Sequence, residues 1–200
     1  MKILITVVLF FNSVIFAQTV QDSTLQRNLL ERLAIDQEVR RVHAIEKMQK
    51  GLTIEPSDIR AMNKVDSINT AWLKPIVQQR GWLGLDLVGV DGDDAAFILV
   101  QHADRDTAFQ VYCLRLLQRA FEIGQTKGQN LAFLKDRVEL AAGRSQVYGT
   151  QSIIKEGKVF FVPIIDSNSV DQRRALLGLS SLNDYKKVLE SMYTSQSKNK

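Results

Sequence analysis

The stretch LAFLKDRVELAAGRSQVYGTQ, residues 131–151, decides how the rest of the chain is read. On a helical wheel of about 100° per residue, Leu131, Leu134, Val138 and Ala141 share one side, and Phe133 and Leu140 widen it. That arc covers about half the circumference and suits burial. Arg137 falls inside it, between Leu140 and Ala141, whereas Lys135, Asp136 and Glu139 point the other way. Taking a charge out of water costs roughly several kcal/mol, so an arginine placed there needs a partner. The partner is either a structural one (an ion pair, or a stem that snorkels) or a bound anion. Gly143 then ends the helix and releases the polar run from Arg144 to Gln151.

Composition sets the frame. A chain of 200 residues with 45% apolar and 24% charged content is an ordinary globular sequence, neither disordered nor membrane-embedded. That length makes one domain with a sizeable core. The formal charge is +4, and without the segment before Gln18, whose only charge is Lys2, 25 basic residues face 22 acidic ones, or +3. So mild an excess, with the signs interspersed, points away from nucleic acid.

Residues 1–17 have the layout of a secretory signal peptide: a positive start (Met1, Lys2), an apolar run from Ile3 to Phe11, and Ala17 before Gln18. The expected location is periplasmic or secreted, with no membrane attachment once that segment is removed. An uncleaved anchor is the alternative, since Ile15 is bulky for its place. Cys113 is the sole cysteine, so no internal disulfide forms. It lies with Phe109, Leu116 and Leu117 on the apolar side of a helix, as a packing residue.

Taken in order, the mature chain is read as residues 18–193 in a single mostly helical domain, with 194–200 a disordered tail. Leu25, Leu29 and Leu33 recur every four residues on a helix reaching Gln49, and Asp36, Arg40 and His43 continue that stripe. A charged pair extending an apolar stripe is either an internal ion pair or one wall of a pocket. Gly51 stops the helix. Pro56 opens a second, through Ile68, Trp72 and Ile76 to Gly81, which Pro75 should kink or split. Gly81, Gly84, Gly89 and Gly92 read as a turn-rich linker that tucks in Trp82, since their spacing fits no phosphate-binding pattern.

Asp93 or Asp94 caps the next helix, and Ala95–Val100 is apolar on all sides, hence buried. Gln101 and His102 arrive at its end, where carbonyls favour a protonated imidazole. Asp106 caps a helix with Phe109, Tyr112, Leu116, Leu117, Ala120 and Phe121 on its core face. Residues 152–154 and 159–162 form a β-hairpin turning through Lys155-Glu156-Gly157-Lys158, which must pack on helices to persist. Arg173 and Arg174 sit on a short helix, and Ser181 with Asp184 caps the last one. The fold class is mainly α, an orthogonal helical bundle with a small β-hairpin near the C-terminal third.

Familiar chemistries fit poorly. Two histidines and one cysteine, with no HExxH, do not suggest a dedicated metal site, and no cofactor is indicated. Gly143-Arg144-Ser145-Gln146-Val147 breaks the serine-hydrolase elbow, and no facing carboxylate pair marks a glycosidase. What remains is histidine as acid–base and arginine as anion stabiliser.

Asp36-Gln37-x-x-Arg40, Gly81-Trp82, Gln101-His102-Ala103-Asp104, Asp136-Arg137, Gln146-x-Tyr148-Gly149-Thr150-Gln151, and Val170-Asp171-x-Arg173-Arg174 with Gly178-Leu179 resemble the bacterial domain of unknown function 6624 family over residues 25–190. Leu83 departs from the pattern, where proline is expected after the tryptophan. The resemblance implies one domain and marks polar positions, but no reaction. Wheel and resemblance together nominate His102 as the catalytic candidate. For ligand binding they nominate Asp36, Arg40, Gln101, Arg137, Gln146, Tyr148, Gln151 and Arg173. Three functions follow. One is a binding or structural module for a small anionic ligand. The second is a hydrolase or transferase with His102 as general acid–base and Arg137 with Arg173 as anion clamp. The third is an interaction protein docking another envelope protein through the hairpin.

Overall fold

The computed structural model describes residues 20–198 apart from 156 and 157. The segment read as a signal peptide and the Glu156-Gly157 turn lie outside the described residues. The chain is mainly α, with one two-stranded antiparallel hairpin. It divides into two compact units meeting in sequence at Thr126 and Lys127.

The N-terminal unit starts with α1, Ser23–Arg40, capped by Asp22, whose carboxylate accepts from the Leu25 N–H at 2.9 Å. Leu25 and Leu29 are buried, and so is Asp36 further along the stripe. A π-helical turn, Arg41–Ile45, carries α1 into α2, Glu46–Gln49. Such turns insert an extra residue and frequently sit at functional sites. Gly51, at φ 67°, closes the segment.

Helix α3 runs Pro56–Arg80 and passes through Pro75 without the expected break. Pro75 and Ala71, whose carbonyl loses its helical donor, are both exposed, so water can meet that carbonyl. The buried face is Asn69, Leu73 and Val77. It lies one residue round from the expected Ile68, Trp72 and Ile76 stripe, and Ile68 is 54% exposed.

The glycine-rich segment is not a linker. Helix α4, Leu85–Gln101, begins just after Gly84 and is interrupted only at Gly89, at φ 69°. A Cβ at Gly89 would meet Val20 and Gln26 side chains at 2.9 and 3.0 Å, so the close approach as well as the backbone calls for glycine. Asp93 and Asp94 therefore lie inside the helix, both buried, rather than capping it. Asp93 accepts from Trp82 Nε1 at 2.7 Å and Thr126 Oγ1 at 2.9 Å. Ala95–Val100 is buried throughout, as its composition predicts, and His102 is the C-cap. Helix α5, Thr107–Glu122, is capped by Asp106 and buries Phe109, Cys113, Leu117 and Ala120. Burial pushes the Cys113 thiol up to about 12, which keeps it protonated and inert.

The C-terminal unit holds α6 (Gly128–Ala141), the hairpin strands β1 (Ser152–Lys155) and β2 (Lys158–Phe161), α7 (Val170–Leu176) and α8 (Leu182–Lys198). The strands pair with Ser152 opposite Phe161 and Lys155 opposite Lys158. Phe161 stacks on Tyr185 of α8 at 6.1 Å, and Tyr185 meets Phe133 of α6 edge-on at 6.2 Å. The hairpin is thus held by helices, as a lone hairpin requires. The Asp184 N–H donates to Ser181 Oγ at 3.1 Å, the expected cap for α8. Helix α8 includes residues 194–198.

Candidate functional site

Along α1, α3 and the end of α4, an apolar seam gives way to a polar one. Leu25, Leu29, Leu73 and Val77 fill the apolar part. Beyond them, Arg32 Nη1 donates to Asn69 Oδ1 at 3.3 Å and its guanidinium lies over Trp72 at 4.2 Å. Next comes Asp36, fully buried, with Arg40 Nη1 at 2.7 Å and His102 Nδ1 at 3.0 Å from its carboxylate oxygens. Gln37 Nε2 donates to the same carboxylate at 2.9 Å. Arg40 also reaches Asp66 of α3 at 2.7 Å, so one guanidinium bridges two carboxylates. Past the π turn, His43 Nδ1 and Lys47 Nζ both engage Asp58 of α3.

Carboxylates and cations alternate in the central cluster: Asp36 lies between His102 and Arg40, Arg40 reaches on to Asp66, and Asp104 is close enough to act on Asp66. Burial pushes Asp66 up to about 6 against the pull of Arg40, with Asp36 and Asp104 raising it further. Burial also raises Asp36, but the hydrogen bond from His102 and the charges of His102 and Arg40 outweigh it, leaving the carboxyl below its ordinary value. His102, Asp66 and Arg40 are 11%, 13% and 18% exposed at their side chains, so the cluster reaches solvent. One ligating atom each from Asp36, Asp66 and His102 lie within 4.8 Å of one another, a set that could hold a cation. Sequence composition alone does not reveal it.

Gln101, next to His102, is fully buried with neither amide atom hydrogen-bonded. Gln110, also fully buried, donates through Nε2 to the Gln101 carbonyl at 3.0 Å and to Asp104 Oδ1 at 3.1 Å.

The remaining nominated residues belong to the C-terminal unit and form a different structure. Asp136 of α6, fully buried, accepts from the backbone N–H of Val147 (2.6 Å), Tyr148 (2.9 Å) and Thr150 (2.9 Å), and from Thr150 Oγ1 (2.9 Å). Gln146 Nε2 donates to the carbonyls of Gln151 and Val162, and its Oε1 accepts from the Gln151 N–H. Arg173 donates to the carbonyls of Val147, Ile165 and Asp166. Arg174, 2% exposed, donates to the carbonyls of Tyr148 and Ser180 and stacks over Tyr185 at 5.1 Å. Gly149, at φ 70°, has no room for a Cβ beside Leu182 and Ile164. Residues 146–151 are therefore a clasped loop.

The wheel placed Asp136 and Glu139 toward solvent and Arg137 inside. The fold reverses that emphasis. Asp136 and Glu139 are buried while Arg137 is only half-buried, because the 146–151 loop covers the side of α6 assumed to be wet. Arg173 turns Nε and Nη2 to backbone carbonyls and pairs through Nη1 with Asp166 at 3.6 Å. Asp66 escapes sequence reasoning, whereas Asp136, Thr150 and Arg174 stand in the motifs of the resemblance without being nominated as site residues. Asp66 was within reach, because Asp66 and Asn69 extend the Leu73–Val77 stripe of α3 just as Asp36 and Arg40 extend that of α1.

Glu139 carries a pH-dependent contribution. Arg144 and Lys135 bind its carboxylate and hold it down to about 2, against an ordinary 4.5. A depressed carboxyl stabilises the fold above its unfolded pKa, and the gain is lost as pH falls from about 4.5 toward 2. Because Arg144 is 59% exposed and Lys135 37%, we expect only about 1 kcal/mol. Urea unfolding of Glu139→Gln at pH 7 and pH 3 measures it: the difference from wild type should shrink at the lower pH.

A mainly α chain with a polar interhelical seam and a clasped loop before a hairpin defines the class. The chain belongs to the family of unknown function DUF6624, which matches residues 23–198. No curated protein and no solved structure matches it.

Proposed function

We propose that the protein is a binding module whose ligand site is the seam of Asp36, Arg40, Asp66 and His102. The observation that carries this is the bridged cluster itself: a fully buried carboxylate shared by an arginine and a histidine, with a second carboxylate on the far side of the arginine. The carboxylates of Asp36 and Asp66, with Asp66 reaching solvent, favour a ligand bearing positive charge over the anion anticipated from the sequence. The nine nominated residues divide accordingly. Asp36, Arg40, Gln101 and His102 serve the ligand, while Gln146, Tyr148, Gln151 and Arg173 shape the C-terminal unit and Arg137 is left without an assigned role. The protein works outside the cytoplasm, on the strength of Lys2, Ile3–Phe11 and Ala17.

One observation favours a second reading, an enzyme with His102 as general acid–base. Its Nδ1 faces a buried carboxylate, which orients the ring. A thermal-shift screen of amines, guanidines, phosphates, nucleotides, sugars and carboxylates addresses both readings. Amines and guanidines should raise Tm with concentration, and Asp66→Asn should abolish that rise. Stabilisation by phosphates instead, or a flat screen, would remove the seam as a site for cations.

A further inference from the structure

We propose that Asp36, Asp66 and His102 form a divalent transition-metal site in which the Arg40 guanidinium stands where the ion binds. This inference rests on the reading of the seam as a ligand site and names its ligand. The three donors come from α1, α3 and the end of α4, and one atom of each lies within 4.8 Å of the others. Two carboxylate oxygens and an imidazole nitrogen form a mixed donor set that suits Zn²⁺ or Mn²⁺. Three protein ligands leave further positions open on such an ion.

Arg40 is the internal competitor. It contacts both carboxylates at 2.7 Å, which is what a cation between them must replace. It can leave, because its side chain is already 18% exposed and sits on a long flexible stem. Asp36 cannot leave: it is fully buried and held by the Gln37 amide at 2.9 Å, the kind of support that orients a ligating carboxylate. A separate feature lies at the same end of α4. Gln101 is fully buried with its amide nitrogen and oxygen unmet. Buried polar groups are rarely left so, and an ion or its water is a standard explanation. Asn69 of α3, three residues from Asp66, adds an unmet buried Nδ2.

Isothermal titration of the untagged, chelator-stripped full chain with zinc chloride and manganese chloride tests the site, with magnesium chloride as an oxygen-preferring control. One-site binding of zinc or manganese is expected. His102→Gln and Asp66→Asn should each weaken it about tenfold or more. Arg40→Met should tighten it, and zinc should restore the Tm that Arg40→Met loses. If Arg40→Met does not fold without metal, refolding it with and without zinc chloride gives the same answer. No binding heat from either ion in wild type and Arg40→Met overturns the proposal, as does binding indifferent to both ligand substitutions. Should metal fail while amines still raise Tm in an Asp66-dependent way, the seam remains a binding site and only the metal is lost. If neither ion nor amine acts, both fail together.

Discussion

Replacing Asp136 by alanine is expected to destabilise the protein by about 3–5 kcal/mol, the largest effect of any single substitution considered. The side chain is fully buried and accepts four hydrogen bonds, three from the backbone N–H groups of Val147, Tyr148 and Thr150 and one from Thr150 Oγ1. Each buried donor left without an acceptor costs about 1–3 kcal/mol, and the losses are shared rather than summed, because the loop can relax toward water. Burial raises the Asp136 carboxyl, and the hydrogen bonds from Thr150, Tyr148 and Val147 oppose that rise. Asp136→Asn should be nearly as harmful as alanine, since its NH₂ group would face N–H donors. Urea unfolding gives the loss, and amide exchange at Val147, Tyr148 and Thr150 locates it. If Asp136→Asn lost under about 1 kcal/mol with those amides still protected, the clasp would not depend on the carboxylate.

The second large effect belongs to Asp36. Asp36→Ala removes the partner of His102 and one of the two carboxylates on Arg40. Breaking a buried charged contact costs about 3–5 kcal/mol. Arg40 keeps Asp66 and part of its exposure to water, so the expected loss lies toward the lower end, about 3 kcal/mol. His102→Ala should cost less, about 1 kcal/mol, because an 11% exposed imidazole can be replaced by water while Asp36 retains Arg40 and Gln37. Chemical denaturation of both variants separates the roles: Asp36 anchors the seam and His102 serves what binds there. Equal, large losses from the two would make the cluster a structural network only.

These two carboxylates show how far sequence reading goes. Asp36 was legible because it interrupts an apolar stripe on its own helix, and its partner Arg40 lies one helical turn away in the same sequence. Asp136 was not, although it sits in the same helix as Arg137. The wheel assigns one wet side to a helix, and it assigned that side to Asp136 and Glu139. The loop of residues 146–151 lies on that side and turns a solvent face into an interior one. The glycine-rich segment failed for a related reason. Gly84, Gly89 and Gly92 look like turn residues by composition; Gly84 caps helix α4 and Gly89 interrupts it at φ 69°, but the helix runs on through Gly92, where a Cβ would crowd Val88 and Gln26.

By itself the sequence determined the helical class, the hairpin, the capped helix starts at Asp106 and Ser181, the wholly buried Ala95–Val100 segment, and the Asp36–Arg40 pair. All of these follow from periodicity and capping, which act over a few residues along the chain. Only the tertiary structure decided that Asp66 and His102 join the Asp36–Arg40 pair, and that α6 buries Asp136 and Glu139 more deeply than Arg137. Those contacts join residues far apart in sequence, and their strength depends on how much water the surrounding elements exclude. No local pattern encodes that, because the dielectric around a charge is a property of everything packed against it.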